Sequence, residues 1–287
     1  MKRSFQSKLF ILFITSILLP LLVMSSFLSF YFNNRSIRTS EQNIFNTLYT
    51  VSQNIRIYLD DLKRVSLSPN VYPDVMNFYE QLNRGDADDS YPSYLIRYKY
   101  RTLMQQLLTL SRSDIKGIAF IPLNNPDSII YSIDTHTGVI NNTTNYNYKD
   151  KPWYNLVKES RGTPVFSLSG EAEYYEASIS AGLTVSNEKN IFSVMRLVCS
   201  DDYKRYIGII KVDASSAVIR DIFNNISTSA HSGLLLLDHN DDVVYSTRES
   251  LNPLSKSLNT GITEIATVNG SFYCYIQPIP NTTWRLV

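Results

Sequence analysis

The chain has 287 residues, with 27 Lys and Arg against 26 Asp and Glu, for a formal net charge of +1. Basic residues are scattered rather than gathered on one stripe, which excludes a nucleic-acid footprint. The length suffices for one elongated double module or two small domains, each able to bury a core.

The first element is apolar. From Leu9 to Phe32 no residue is charged, and a helix of that length extends about 36 Å, enough to cross a hydrocarbon core of about 30 Å with some tilt. A signal peptide is the rival reading, but its apolar region is usually only about 7 to 15 residues. Lys2, Arg3 and Lys8 precede the run while Arg35 and Arg38 follow it, a slight bias toward a cytoplasmic segment 1–8 and an exported remainder.

Directly after it, Ile37, Ile44, Val51, Tyr58 and Val65 recur every seventh residue, with Leu48, Ile55 and Leu62 between them. That stripe predicts a long amphipathic helix over 33–68, running on from the membrane segment without a Gly or Pro until Pro69. Its distal half reads as a core helix lying on its own sheet. The membrane-near half, Ser36 to Tyr49, has the spacing of a coiled-coil seam and can pair with a second copy, which makes a homodimer the expected state; Glu41 at a seam position limits that pairing. A second helix is expected between Tyr91 and Leu110, where Leu95, Tyr98, Leu103, Leu107 and Leu110 form an approximate stripe.

From Ile115 the period changes to that of strands. "IKGIAFI", "DSIIYSI", "VFSLS", "EASISAGLTV", "NIFSVMRLVC" and "YIGIIKVD" are β-rich runs, with a short helix at "WYNLVKES" and a turn at Arg161 to Pro164. The helix "ASSAVIRDIFNNI" follows, and "GLLLLDHNDDVVYS" reads as a hairpin that opens a smaller module continuing through "SFYCYIQPI" to "TTWRLV". The fold class is therefore α+β with antiparallel sheets: a larger membrane-distal module over 69–228 and a smaller proximal one over 229–287.

Catalytic chemistry is thinly represented. His136, His231 and His239 have no second ligand at metal spacing, so neither a metal nor a cofactor is expected. Asp238, His239, Asp241 and Asp242 read as a solvated turn. Ser169 and Ser193 have no base near them in sequence, and no phosphate loop or nucleophile elbow is present. Cys199 and Cys274 lie in different predicted strands, and two cysteines make no disulfide framework.

A binding site is easier to motivate. Tyr146, Lys151, Trp153 and Tyr154 put aromatic surface and one cation beside a polar loop, the mixture that excludes water from a small polar ligand and orients its carboxylate or hydroxyls. The competing reading has Trp153 and Tyr154 packing a helix start against the sheet, with Lys151 exposed. Asp213, just before a predicted helix, is equally placed to cap it.

The order of these parts resembles the double Cache (dCache) sensor: a membrane helix, a long helix continuing from it, a larger PAS-like module closing at "YIGIIKVDAS" and a smaller one closing at "NTTWRLV". The stretch "NTLYTVSQNIRIYLDDLKRVSLSP" further resembles sensor histidine kinases paired with AraC-type response regulators in Firmicutes. The resemblance implies an extracellular receptor domain at the cell membrane, with a second membrane helix and a kinase or DNA-binding output region beyond Val287. Amino-acid-binding members carry a Tyr, an Arg five residues on, a Trp two further, and an Asp at the end of a late strand. Tyr146, Lys151, Trp153 and Asp213 match these positions, with Lys in place of Arg. A planar guanidinium holds a carboxylate bidentately and an ammonium does not. Tyr174 and Tyr175 are the nearest match, by position alone, to the family's aromatic-x-Asp pair. The implied ligand is a small polar solute, an amino acid, organic acid or sugar. Two other readings are a docking module for a solute-binding protein and an anchored hydrolase.

Overall fold

The computed structural model describes residues 5–85, 94, 95, 98–104, 106, 114–124, 128–133, 136–141, 148–168, 191–200, 202–226, 232–248, 251, 262–267 and 270–287. The expected strand "EASISAGLTV" lies outside them.

A single helix, α1 (Phe5–Val65), carries both the apolar run and the heptad stripe, and Pro20 lies inside it without ending it. Over 61 residues it reaches about 90 Å. Residues 9–46 are exposed, and the apolar part is long enough to cross a membrane. Within it the Thr15 hydroxyl donates to the Ile11 carbonyl at 2.8 Å. From Leu48 onward the stripe turns inward. Leu48, Val51, Ile55, Tyr58, Leu59 and Leu62 are buried, whereas Ile37 and Ile44 are not. The distal half is thus the core helix that the sequence predicts, and the expected seam of the near half stays open.

A 3-10 turn (Ser68–Val71) leads to α2 (Pro73–Arg84). Pro73 opens this helix, where its missing N–H costs nothing, and Gly85 closes it at φ 82. A further helical stretch at 98–104 buries Tyr100, Leu103 and Met104, while Leu95 and Tyr98 are exposed. Of the expected stripe Leu103 is thus buried and Leu95 and Tyr98 are not, while Leu107 and Leu110 lie outside the described residues; Tyr100, which the stripe did not include, meets the rings of Phe78 and Tyr79 of α2.

Six antiparallel strands form the main sheet, in the order β3-β2-β1-β6-β5-β4. They are β1 (Ile115–Pro122), β2 (Ser128–Ile133), β3 (His136–Asn141), β4 (Val165–Leu168), β5 (Ile191–Cys199) and β6 (Tyr206–Ser215). Between β3 and β4 come a 3-10 turn (Tyr148–Asp150) and α3 (Pro152–Glu159). The positive φ of Arg161 and Gly162 makes the expected turn. Strand β3 was not legible in the sequence, because "HTGVIN" has no apolar alternation.

The sheet is buried on both faces. On one, Ile118, Phe120, Phe192, Val194, Ile210 and Val212 pack with α1 and α2; on the other, Ala119, Ile121, Met195, Leu197 and Ile209 pack with Tyr148, Trp153, Tyr154 and Val157. Alternation along each strand separates the two sets.

Helix α4 (Ala217–Asn224) leads to a smaller sheet ordered β11-β12-β7-β8, built from β7 (Leu235–Leu237), β8 (Val243–Ser246), β11 (Gln277–Pro278) and β12 (Arg285–Leu286). The expected β7–β8 hairpin is present, and its turn is not simply solvated. Asp238 is 8% exposed and accepts from the Asn240 and Asp242 amides at 2.8 and 2.9 Å, and Asp241 pairs with Arg285. Among the described residues a separate pair, β9 (Ile262–Thr267) and β10 (Gly270–Tyr275), is the last set of strands. Cys199 and Cys274 are free thiols.

Helix α1 fastens the two sheets together. Lys63 Nζ donates to the Asn281 carbonyl at 3.0 Å beside the small sheet and lies over the Phe166 ring of β4. Trp284, 1% exposed, has its ring 5.6 Å from Phe166 and 6.0 Å from Phe192, and Phe192 is 5.8 Å from Tyr58 of α1. One run of rings therefore joins the stalk helix, the main sheet and the C-terminal strands.

Candidate functional site

The face of the main sheet beneath α3 carries a buried polar cluster. Strands β5 and β6 pair in a register that sets Ser193 opposite Asp213 and Met195 opposite Lys211. Lys211 and Asp213, two apart on one strand, share a face. Lys211 Nζ is 2.5 Å from Asp213 Oδ1, and the Ser193 hydroxyl donates to the same oxygen at 2.5 Å. All three residues are fully buried. On the other side of β6, Gly117 faces Asp213 and Ala119 faces Lys211, so β1 brings almost no side-chain volume to the cluster.

The aromatic wall is adjacent. Ala119 and Met195, the two register partners of Lys211, belong to the same core as Trp153, Tyr154 and Tyr148. The Tyr148 hydroxyl donates to the Pro122 carbonyl at 3.2 Å, which ties the start of this segment to β1. The Tyr148 and Tyr154 rings meet edge to face at 5.3 Å, and Tyr154 meets Trp153 at 6.2 Å. Burial pushes the Tyr154 phenol above its ordinary pKa, so it stays a neutral donor.

Of the residues expected from sequence, Trp153, Tyr154 and Asp213 come together on this face. Lys151 sits at the N-cap of α3, half-buried rather than exposed as the competing reading had it. Trp153 and Tyr154 do pack α3 onto the sheet, at 2% and 7% exposure. The capping role for Asp213 does not hold: it lies inside β6, and Ser216 is the N-cap of α4. Tyr146, Tyr174 and Tyr175 lie outside the described residues.

Sequence reasoning missed Lys211 and Ser193. Lys211-x-Asp213 within an otherwise apolar strand was a signal, since a lysine there is buried only if paired. Ser193 was not findable, because its partner is 20 residues away and the strand register alone unites them. Among the described residues no three His, Cys, Asp or Glu side chains converge as a metal site. A groove of about 600 Å³ lies elsewhere, between Glu41–Leu48 of α1 and Tyr275–Gln277, and contains none of the expected site residues.

By sequence, no family model and no curated protein matches the chain. Solved structures do match by shape. The ligand-binding domain of the Pseudomonas fluorescens chemoreceptor CtaA, in complex with L-isoleucine, superposes with a TM-score of 0.56 at 11% identity, covering 88% of this chain and 93% of that one. The Pseudomonas aeruginosa amino-acid chemoreceptor PctB, in complex with L-Gln, gives 0.54 at 12% identity, with 84% and 86% covered. The extracellular domain of soHK1S-Z6, assigned as a histidine kinase, gives 0.50 at 12% identity, with 86% and 93% covered. The chain thus has the fold of the Cache-type extracellular sensor domains of chemoreceptors and histidine kinases.

Proposed function

We propose that this chain is the extracellular ligand-sensing region of a bacterial membrane receptor, anchored by residues 9–32 of α1, and that the face beneath α3 is its ligand site. The observation that carries the reading is the buried Lys211–Asp213–Ser193 cluster beside Trp153. A buried ion pair adds little to stability over an apolar packing of the same volume, and we read this one as kept for the site. The site's ligand is a small polar solute, of the amino-acid, organic-acid or sugar classes.

Transmission follows from the two faces of β5. Ser193 faces the site, while its neighbour Phe192 faces Tyr58 of α1 and Trp284. A ligand that favours one packing of β5 shifts the Phe192 contacts and so biases the position of α1, which continues unbroken into the membrane run. The open stripe through Ile37 and Ile44 supplies a seam for a second copy, so that the receptor works as a dimer. A histidine-kinase output region beyond Val287 is the partner we assign to it.

A thermal-shift screen of the full chain in detergent, against amino acids, organic acids and sugars, tests the reading. A ligand at about 100 times its Kd adds roughly 2.7 kcal/mol to the folded state. Trp153→Ala should abolish the shift in protein that still gives a folded near-ultraviolet dichroism spectrum. A screen without any shift, or a shift that survives Trp153→Ala, would refute the site.

A further inference from the structure

The stalk helix leaves the folded domain at Leu48. Beyond that residue α1 is fastened to the C-terminal strands, where the Ser52 hydroxyl donates to the Pro278 carbonyl at 3.4 Å; before it, residues 9–46 are exposed. The wedge between helix and strands is the groove of about 600 Å³, a volume that suits a small ligand. Buried Leu48, exposed Phe45 and half-buried Tyr275 give it apolar and aromatic surface. Gln42, Asn46 and Gln277 bring three carboxamides, and Glu41 one carboxylate. Among the described residues no hydrogen bond or ion pair occupies any of these four polar side chains, so all four can turn to a guest. A carboxamide both donates and accepts, which matches a hydroxyl that does the same, while the rings shield the C–H face of a sugar from water. A carboxylate ligand finds no cation on this lining, since Glu41 is its one charge. An amine gains little from Glu41, because Arg38 stands one turn away on the same side of the helix. Glu41 also lies nine residues past Phe32, about 14 Å along the helix, which clears a headgroup layer of about 5–8 Å; the guest therefore comes from solution and not from a lipid. A groove between a helix and a strand, unlike an enclosed pocket, admits a short chain of rings. We propose that this groove, separate from the face beneath α3, binds a neutral di- or trisaccharide and so ties α1 to β10 and β11 where the stalk emerges.

Calorimetry on the full chain, held in a detergent without a sugar headgroup, tests this with maltotriose, cellotriose and N,N′-diacetylchitobiose as probes. At least one should bind. Phe45→Ala, at an exposed position, should weaken that binding at least about tenfold in folded protein. Should this variant fail to fold, Gln42→Ala with Asn46→Ala, two exposed positions, carries the same expectation. Glu41→Gln should bind within about threefold of wild type, as a neutral guest requires, and folded Trp153→Ala should keep the binding. Silence from all three probes overturns the inference, as does binding that neither groove variant weakens. Binding lost in Trp153→Ala and kept in Phe45→Ala also overturns it, and assigns the saccharide to the face beneath α3, so that the sensor reading stands. A loss of about tenfold or more in Glu41→Gln overturns the neutral class and the inference with it. A change of oligomeric state in Phe45→Ala by light scattering, with no probe bound by wild type, gives the groove to a second copy of the chain and overturns it as well.

Discussion

The Tyr58 hydroxyl donates to Asp114 Oδ2 at 2.7 Å, joining the buried face of α1 to the residue just before β1. The Asp114 carbonyl in turn accepts from the Ser215 amide at 2.8 Å at the end of β6. The stalk helix is therefore bonded to the strand end nearest Asp213, two residues from the candidate site.

Tyr58→Phe keeps the ring and removes this bond, leaving a 9% exposed carboxylate with one donor fewer. The expected loss is about 1–3 kcal/mol in urea unfolding. An unchanged midpoint would mean that the bond contributes nothing.

Trp284 should carry the coupling between the two sheets, because its ring touches Phe166 and Phe192 and is 1% exposed. Trp284→Ala is expected to cost about 3–5 kcal/mol. Amide exchange should accelerate first in the segment 277–287, measured by mass spectrometry. Uniform acceleration across the chain would contradict a local joint.

At Gly208 the neighbouring strand leaves no room for a side chain. A Cβ there would enter the Phe120 ring and come 2.9 Å from the Ile121 carbonyl oxygen. Phe120 cannot retreat freely, since it stacks on Tyr79 at 3.7 Å with the planes 1° apart. Gly208→Ala should destabilise the fold by about 1–3 kcal/mol, and by less in a Phe120→Leu background, the non-additivity expected of touching sites.

Alkaline stability should depend on Tyr79. Burial, and then the adjacent Tyr100 hydroxyl 3.5 Å away, hold its phenol well above the ordinary tyrosine pKa of about 10. Above that value the unfolded chain loses the proton while the folded chain keeps it, so stability falls as pH rises. Tyr79→Phe should flatten this slope relative to wild type in melts between about pH 9 and 11. Identical slopes would show that other phenols set it.

Several features were legible because their causes are local. The uncharged run of 9–32 and the heptad stripe from Ile37 to Val65 predict one continuous helix, since both patterns are local and no Gly or Pro stands between Pro20 and Pro69. The β7–β8 hairpin and the 161–164 turn were equally plain. The burial of Tyr100 in the 98–104 helix was not, because apolar residues at mixed spacing allow more than one stripe and the ring is placed by Phe78 and Tyr79 of another helix.

For the site the same division holds. By itself the sequence determined that Trp153 and Tyr154 begin a short helix and that Asp213 stands at the end of a late strand, because helix starts and strand patterns depend on neighbours a few residues away. Only the tertiary structure decided that Asp213 is buried, that Ser193 completes the cluster and that Asp213 caps no helix. Those outcomes depend on strand register, which is set by the packing of both sheet faces at once and by no short stretch of chain.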